Sequence, residues 1–208
     1  DHRDLHLSLR RQRQMCIRDR TKPLMLGIAG LGTVGVGVIK IIQNKLSLLE
    51  ARTGKQILIS AVTAKSKTKD RGIDLSPYQW ERDPASLANR EDIDVFIELI
   101  GGHEGAAKEA VEIAISKGKN VVTANKALLA HHGHDLALKA EKNGSILRFE
   151  AAVAGGIPVI KSLTEGLAGN SINRIMGVMN GTCNYILTRM ESSVLSYEED
   201  FSEANELG

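Results

Sequence analysis

Gly30-Leu31-Gly32-Thr33-Val34-Gly35 follows an apolar run, Leu24 to Ala29, and leads into residues at helical spacing. A G-x-G-x-x-G in that setting suits the pyrophosphate of a dinucleotide. Gly30 permits the tight turn out of a strand, Gly32 lets backbone approach the phosphates, and Gly35 lets the next helix pack closely on a sheet. The amides of Leu31, Thr33 and Val34 then face phosphate oxygens at the positive end of that helix.

Thr63-Ala64-Lys65-Ser66-Lys67 ends the next β-branched run. An acid at that place binds ribose hydroxyls, whereas a basic residue accommodates the 2′-phosphate of NADP. Asp70 comes only later, so Lys65 and Lys67 favour NADP over NAD, while a merely solvated charged loop would leave the choice open. Lys126 opens a helical stretch, where the helix dipole disfavours a cation. It is therefore either solvated or placed for an anion or a reacting oxygen. Glu150 to Ile157 passes from a strand into a loop of small residues, whose carbonyl oxygens suit a hard monovalent cation or simply pack tightly. Asn180-Gly181-Thr182 precedes another helix, so its amides can hold a carboxylate or serve as a plain N-cap. Cys183 within it admits a nucleophilic thiol. Such a thiol needs a base, which spacing does not assign among His103, His131, His132 and His134, and a small side chain facing the core is the favoured reading.

The elements that must position these groups alternate. After the glycine turn, Val34, Val38, Ile41, Ile42 and Leu49 mark a helix to about Arg52 that stops near Gly54. Ile57 to Val62 reads as a strand, followed by a charged stretch from Lys65 to Asp74 and an irregular connection holding Pro77 and Pro84. Ile93 to Ile100 is a strand closed by Gly101-Gly102, Ala106 to Lys117 a helix, Asn120 to Thr123 a strand, and Lys126 to Lys142 a helix. Ile146 to Ala151 completes the alternation, which predicts a doubly wound parallel sheet over 21–151. Beyond it, a helix over Ile160 to Leu167, a strand over Ile172 to Met179 and a helix from Thr182 to Met190 begin a second, α+β domain over 152–208, with Ser196 capping a last acidic helix. The chain stops at Leu207-Gly208, so that domain is expected to lack its remaining strands.

With 208 residues and a formal net charge of +2, the composition supports a core and carries no nucleic-acid signature. No run approaches the roughly 20 apolar residues that span a bilayer. Two cysteines in unlike contexts, Cys16 and Cys183, fit a reducing, cytoplasmic compartment. Residues 1–20 differ from the rest, rich in Arg and without Lys. A basic arm is one account of them, but a disordered or non-native leader, like translated cloning or adapter material, is preferred.

Five segments in order are similar to a known family: Gly30 to Gly35, Glu98-Leu99-Ile100-Gly101-Gly102, Val121 to Ala130, Phe149 to Pro158, and Asn180 to Leu187. Over about Thr21 to Gly208 the chain resembles homoserine dehydrogenase. The resemblance implies NAD(P)-dependent interconversion of L-homoserine and L-aspartate 4-semialdehyde, on the route to threonine, methionine and isoleucine. It implies that Lys126 orients cofactor and substrate and stabilises negative charge developing as hydride moves. Ile100 and Gly101 would lie at the nicotinamide, and Asn180, Gly181 and Thr182 near the amino-acid substrate. A structural Na+ would be held by main-chain oxygens of Glu150, Val153, Gly155 and Ile157. The family's substrate-amine acid and its proton-donating second lysine fall after the stretch ending Glu206-Leu207-Gly208, so these residues are expected to bind nucleotide and turn over little. A homodimer is expected of the complete protein. Two rivals stand beside this reading: a semialdehyde enzyme acting through Cys183, and a nucleotide-binding regulatory module.

Overall fold

The computed structural model describes residues 22–178 and 181–192, without the side chains of Thr182 and Ser192. The leader over 1–20, Cys16, Asn180, Ser196 and the acidic helix assigned to it lie outside the described residues. By contact, the chain divides into two compact units, one through Gly166 and one from Leu167.

In the first unit β1 is Leu24–Ala29 and α1 is Thr33–Thr53, with a break in helical geometry at Lys45 and a stop at Gly54. Next come β2, Ile57–Thr63, β3, Gln79–Trp80, and α2, Pro84–Asn89. Asp83 caps α2 by accepting the Ser86 N–H at 2.6 Å, and Pro84 sets its first residue. Then come β4, Val95–Glu98, α3, Ala106–Ser116, β5, Asn120–Thr123, α4, Lys126–Lys142, and β6, Leu147–Arg148.

All six strands are parallel, in the order β3-β2-β1-β4-β5-β6. This is a Rossmann sheet, the doubly wound fold that the alternation predicts. Alternation along each strand builds two cores. Leu26, Ile28, Val62, Val95 and Ile97 meet Ile39 of α1 on one face, while Ala29, Ala61 and Phe96 meet Leu87, Val111, Ile115, Leu128 and Leu136 from α2, α3 and α4 on the other. The handedness of crossovers explains the division. From β1 to β2 the chain moves one way across the sheet, from β3 through β6 the other way, and right-handed connections then put the helices on opposite faces.

Some expectations are corrected. The connection after Asp74 contains β3 and α2, too short for periodicity to reveal. The strand expected over Ile146 to Ala151 shrinks to β6, because Glu150–Val153 forms a helical turn, α5. After it, Val159–Lys161 is α6 and continues into a π turn, Ser162–Gly166. The second unit contains α7, Gly181–Ser192, in which Arg189 lies over the Tyr185 ring at 5.7 Å. Residues 171–178, expected to form most of a strand, have no regular structure there. An extended segment is a strand only when a neighbour satisfies its backbone, and Met176 and Val178 are exposed.

Away from the strand ends, Arg90 ties the edge of the sheet together. It pairs with Glu81 at 2.6 Å and with Asp92 at 2.7 Å, and Ser60 of β2 donates to the Asp92 carboxylate. The hydrogen bond from Arg90 is the main cause that draws the Asp92 carboxyl down to about 2 from an ordinary 3.8. A carboxyl depressed by folding adds stability above its unfolded value and loses it as pH falls through the folded one. Asp92→Asn should therefore flatten the loss of urea stability between about pH 4 and pH 2, read from denaturation midpoints across that range. At Gly35 an added Cβ collides with the Gly30 carbonyl oxygen, which is backbone and cannot step aside. Gly35→Ala should cost about 2 kcal/mol or more in urea unfolding.

Candidate functional site

Strand order reverses between β1 and β4, and in an open α/β sheet the crevice outside the carboxyl ends at that point receives the ligand. A cleft of about 550 Å³ opens there, lined by Gly30, Leu31 and Gly32 after β1, Thr63 to Ser66 after β2, and Leu99 and Ile100 after β4.

The three motif glycines have three different physical causes. Gly30 has φ +99°, and a Cβ on it would strike the Leu99 carbonyl. Gly35 is buried and lets α1 close on the turn. Gly32 needs neither account: a Cβ there would meet nothing within 4 Å. The protein leaves that space open beside the first turn of α1, which has no acidic residue in it and no side-chain cap at Gly32. A helix N-terminus leaves its first N–H groups without intrahelical partners, and Thr33 and Val34 there are exposed. An anion approaching Gly32 thus meets unpaired amides and a positive dipole end, and the residues present fit a dinucleotide's phosphates.

Lys65, Lys69, Arg71 and Arg82 bring positive charge to the cleft wall. Asp83 is neutralised by Arg82 at 2.8 Å, and the Ser86 amide that it accepts holds its carboxyl below the usual range. Arg71 is fixed rather than loose. Its Nε donates to the Leu31 carbonyl at 3.1 Å, Nη1 to Lys69 O at 2.7 Å and Nη2 to Ser66 O at 2.5 Å, with the guanidinium 5.7 Å above Trp80. Arg71 therefore clips the loop that carries Lys65 onto the glycine turn. Lys67 is exposed and does not line the cleft, and Asp70 instead accepts the Gly72 N–H at 2.9 Å.

Gly101 and Lys126 lie outside the cleft lining, on the adjoining strand ends. Lys126 is exposed at the first turn of α4, capped by Asn125, whose Oδ1 accepts the Leu128 N–H at 3.0 Å. Glu98, the last residue of β4, is wholly buried and binds both strand ends by hydrogen bonds. Spacing alone singles out neither Arg71 nor Glu98 as a site residue. Arg71 gives no signal in its irregular segment, whereas Glu98 does: a lone carboxylate closing the apolar run Val95-Phe96-Ile97.

Among the expected cation ligands, the Glu150 carbonyl accepts from Ala154 N–H at 3.2 Å and that of Ile157 from Val159 N–H at 2.8 Å. Val153 ends α5, where carbonyls lack intrahelical donors, and Gly155 comes next but one in a turn. The Glu150 carboxylate accepts the Ile160 and Lys161 amides at 2.9 and 2.8 Å. Among the described residues no group of three His, Cys, Asp or Glu side chains could hold a metal. In the second unit Gly181 opens α7, and Cys183 is exposed, against the expectation of a core-facing side chain. Ile186, one turn further on, is the residue of α7 that is buried. His103 stacks on His131 at 4.2 Å, and His132 contacts Glu104 at 2.7 Å.

Residues 30–150 match the family described as "Homoserine dehydrogenase, NAD binding domain", and residues 158–208 match "Homoserine dehydrogenase". A homoserine dehydrogenase of Neisseria gonorrhoeae is 46% identical over 187 residues, covering 90% of this chain and 42% of that protein. A crystal structure of the enzyme from Thiobacillus denitrificans superposes with a TM-score of 0.79 at 38% identity, covering 90% of this chain and 43% of that one. A hyperthermophilic archaeal homoserine dehydrogenase mutant in complex with NADPH gives a TM-score of 0.73 at 25% identity, covering 90% and 62%. The chain thus spans less than half the length of the curated relatives it matches. Among the described residues no helix is long and apolar enough to cross a membrane.

The open space at Gly32 separates stability from binding. Gly32→Ala should leave urea stability within about 0.5 kcal/mol of the parent. It should weaken nucleotide binding about tenfold or more in calorimetry, because the methyl group takes the place of a phosphate oxygen.

Proposed function

The chain belongs to the homoserine dehydrogenase family, and on that premise we propose that the whole protein interconverts L-homoserine and L-aspartate 4-semialdehyde with a nicotinamide nucleotide. The observation that carries this reading is the cleft at the β1–β4 reversal, where Gly32 leaves room that no side chain among the described residues fills. A bound nicotinamide nucleotide supplies or accepts the hydride. The amides around Gly30, Leu31, Gly32, Thr33, Val34 and Gly35 hold its pyrophosphate, and Ile100 and Gly101 bound its nicotinamide end. Lys65, on a loop clipped by Arg71 with no acid at the end of β2, receives the 2′-phosphate, which favours NADP.

Lys126 orients the substrate oxygen and stabilises charge that develops on it. Asn180, Gly181 and Thr182 hold the amino-acid part of the substrate. A structural Na+ takes main-chain oxygens of Glu150, Val153, Gly155 and Ile157, a donor set that suits a hard cation. A homodimer in the cytoplasm, without nucleic-acid or membrane partners, completes the reading.

Calorimetry of the 208-residue chain should give tighter binding of NADPH than of NADH. Lys65→Glu should cut that preference about tenfold or more, the size of one charge-assisted hydrogen bond. When the chain is extended to the length of its relatives, NADP-dependent oxidation of homoserine should appear at 340 nm. Lys126→Ala should lower kcat in that protein by about a hundredfold or more. An extended, folded protein that binds NADPH but oxidises no homoserine would overturn the activity.

A further inference from the structure

We propose that Glu98 is a positioning residue for the nicotinamide end of the site, locking the loop after β4 and the start of α4 into one geometry. This inference rests on the nucleotide reading above. Glu98 has no solvent exposure. Its Oε1 accepts the Ile100 N–H at 2.7 Å and the Gly101 N–H at 3.2 Å, and its Oε2 accepts the Thr123 hydroxyl at 2.5 Å.

The connections run on from there. Thr123 Oγ1 accepts the Asn125 N–H at 3.0 Å, and Asn125 Nδ2 donates to the Gly102 carbonyl at 2.6 Å. Asn125 also caps α4, whose first residue is Lys126. One carboxylate thus joins the Ile100-Gly101-Gly102 turn to the residue that precedes Lys126. The turn needs such a tie, since Gly101 and Gly102 have φ of +86° and +84° and bring no side chains of their own to hold it.

The network has one direction: the Ile100 and Gly101 amides and the Thr123 hydroxyl all donate to the two Glu98 oxygens. Burying a polar group is costly unless it is hydrogen-bonded, and here the partners are the amides of the turn after β4 and the Thr123 hydroxyl at the end of β5. A glutamine of the same shape keeps an oxygen for the two amides but turns an NH2 toward Thr123. The Thr123 oxygen must then accept from two sides, and its own proton loses its acceptor. The turn and Lys126 come loose from one another while the pyrophosphate turn, held by Gly30 and Gly35, is untouched.

The test compares two ligands on the full 208-residue chain. NADPH carries the nicotinamide; 2′-phospho-ADP-ribose is the same molecule without it. In Glu98→Gln, NADPH binding should weaken about tenfold and the fluorescence change of its reduced ring on binding should diminish, whereas 2′-phospho-ADP-ribose affinity should stay within twofold. Thr123→Val should reproduce this split and Thr123→Ser should restore parental values, which keeps the test decisive if Glu98→Gln folds poorly. Equal losses for both ligands, or no loss for either, would overturn the positioning role. A parent chain that binds neither ligand would remove the nucleotide reading and this inference with it.

Discussion

Three strand ends meet at one residue without a side chain. Gly30 N–H donates to the Thr63 carbonyl of β2 at 2.9 Å, and Leu99 N–H, after β4, donates to the Ala29 carbonyl at 2.7 Å. Any Cβ on Gly30 would occupy the place of the Leu99 carbonyl. The approach of β4 to β1, and so the crevice between them, depends on that contact. Gly35 repeats the constraint one turn later by letting α1 sit against the Gly30 carbonyl. Sterics at two glycines thereby set the position of the helix end whose amides face the cleft.

Charge is divided by role in this unit. Carboxylates serve as acceptors for backbone amides: Glu98 for the turn after β4, Glu150 for the amides of Ile160 and Lys161, Asp83 for the start of α2. At the cleft wall the balance is cationic, and Arg71 gives its donors to three backbone carbonyls. Acids therefore shape the loops, while bases set the potential that an incoming anion meets. A buried carboxylate satisfied by hydrogen bonds is stable in that role, and a lysine at the surface is free to move toward its ligand.

Much of the first unit was legible in the sequence because its signals are local. The glycine turn, α1 from its apolar spacing, and β5 and α4 between Asn120 and Lys142 can all be read from periodicity and stop signals. Sequence hides the features that only tertiary contact decides. The two residues of β3 are a strand because β2 lies beside them. Residues 171–178 carry a strand-like pattern, but a strand exists only with a partner. Glu150 looks like the end of a strand, yet its carboxylate reaches forward ten and eleven residues to hold the amides of α6. Lys65 was readable from its place after a strand, whereas Arg71 acquires its part through a fold contact 40 residues back along the chain.

The parallel order of the sheet also joins recognition to folding. Gly30, Thr63 and Leu99 belong to three strands brought together by two crossovers, so the cleft cannot outlast the pairing of β1 with β2 and β4. A ligand that binds only the assembled sheet adds its binding energy to the stability of the whole unit, about 2.7 kcal/mol at a hundredfold excess over Kd. A ligand that fills the site would then also raise the folded fraction of this unit.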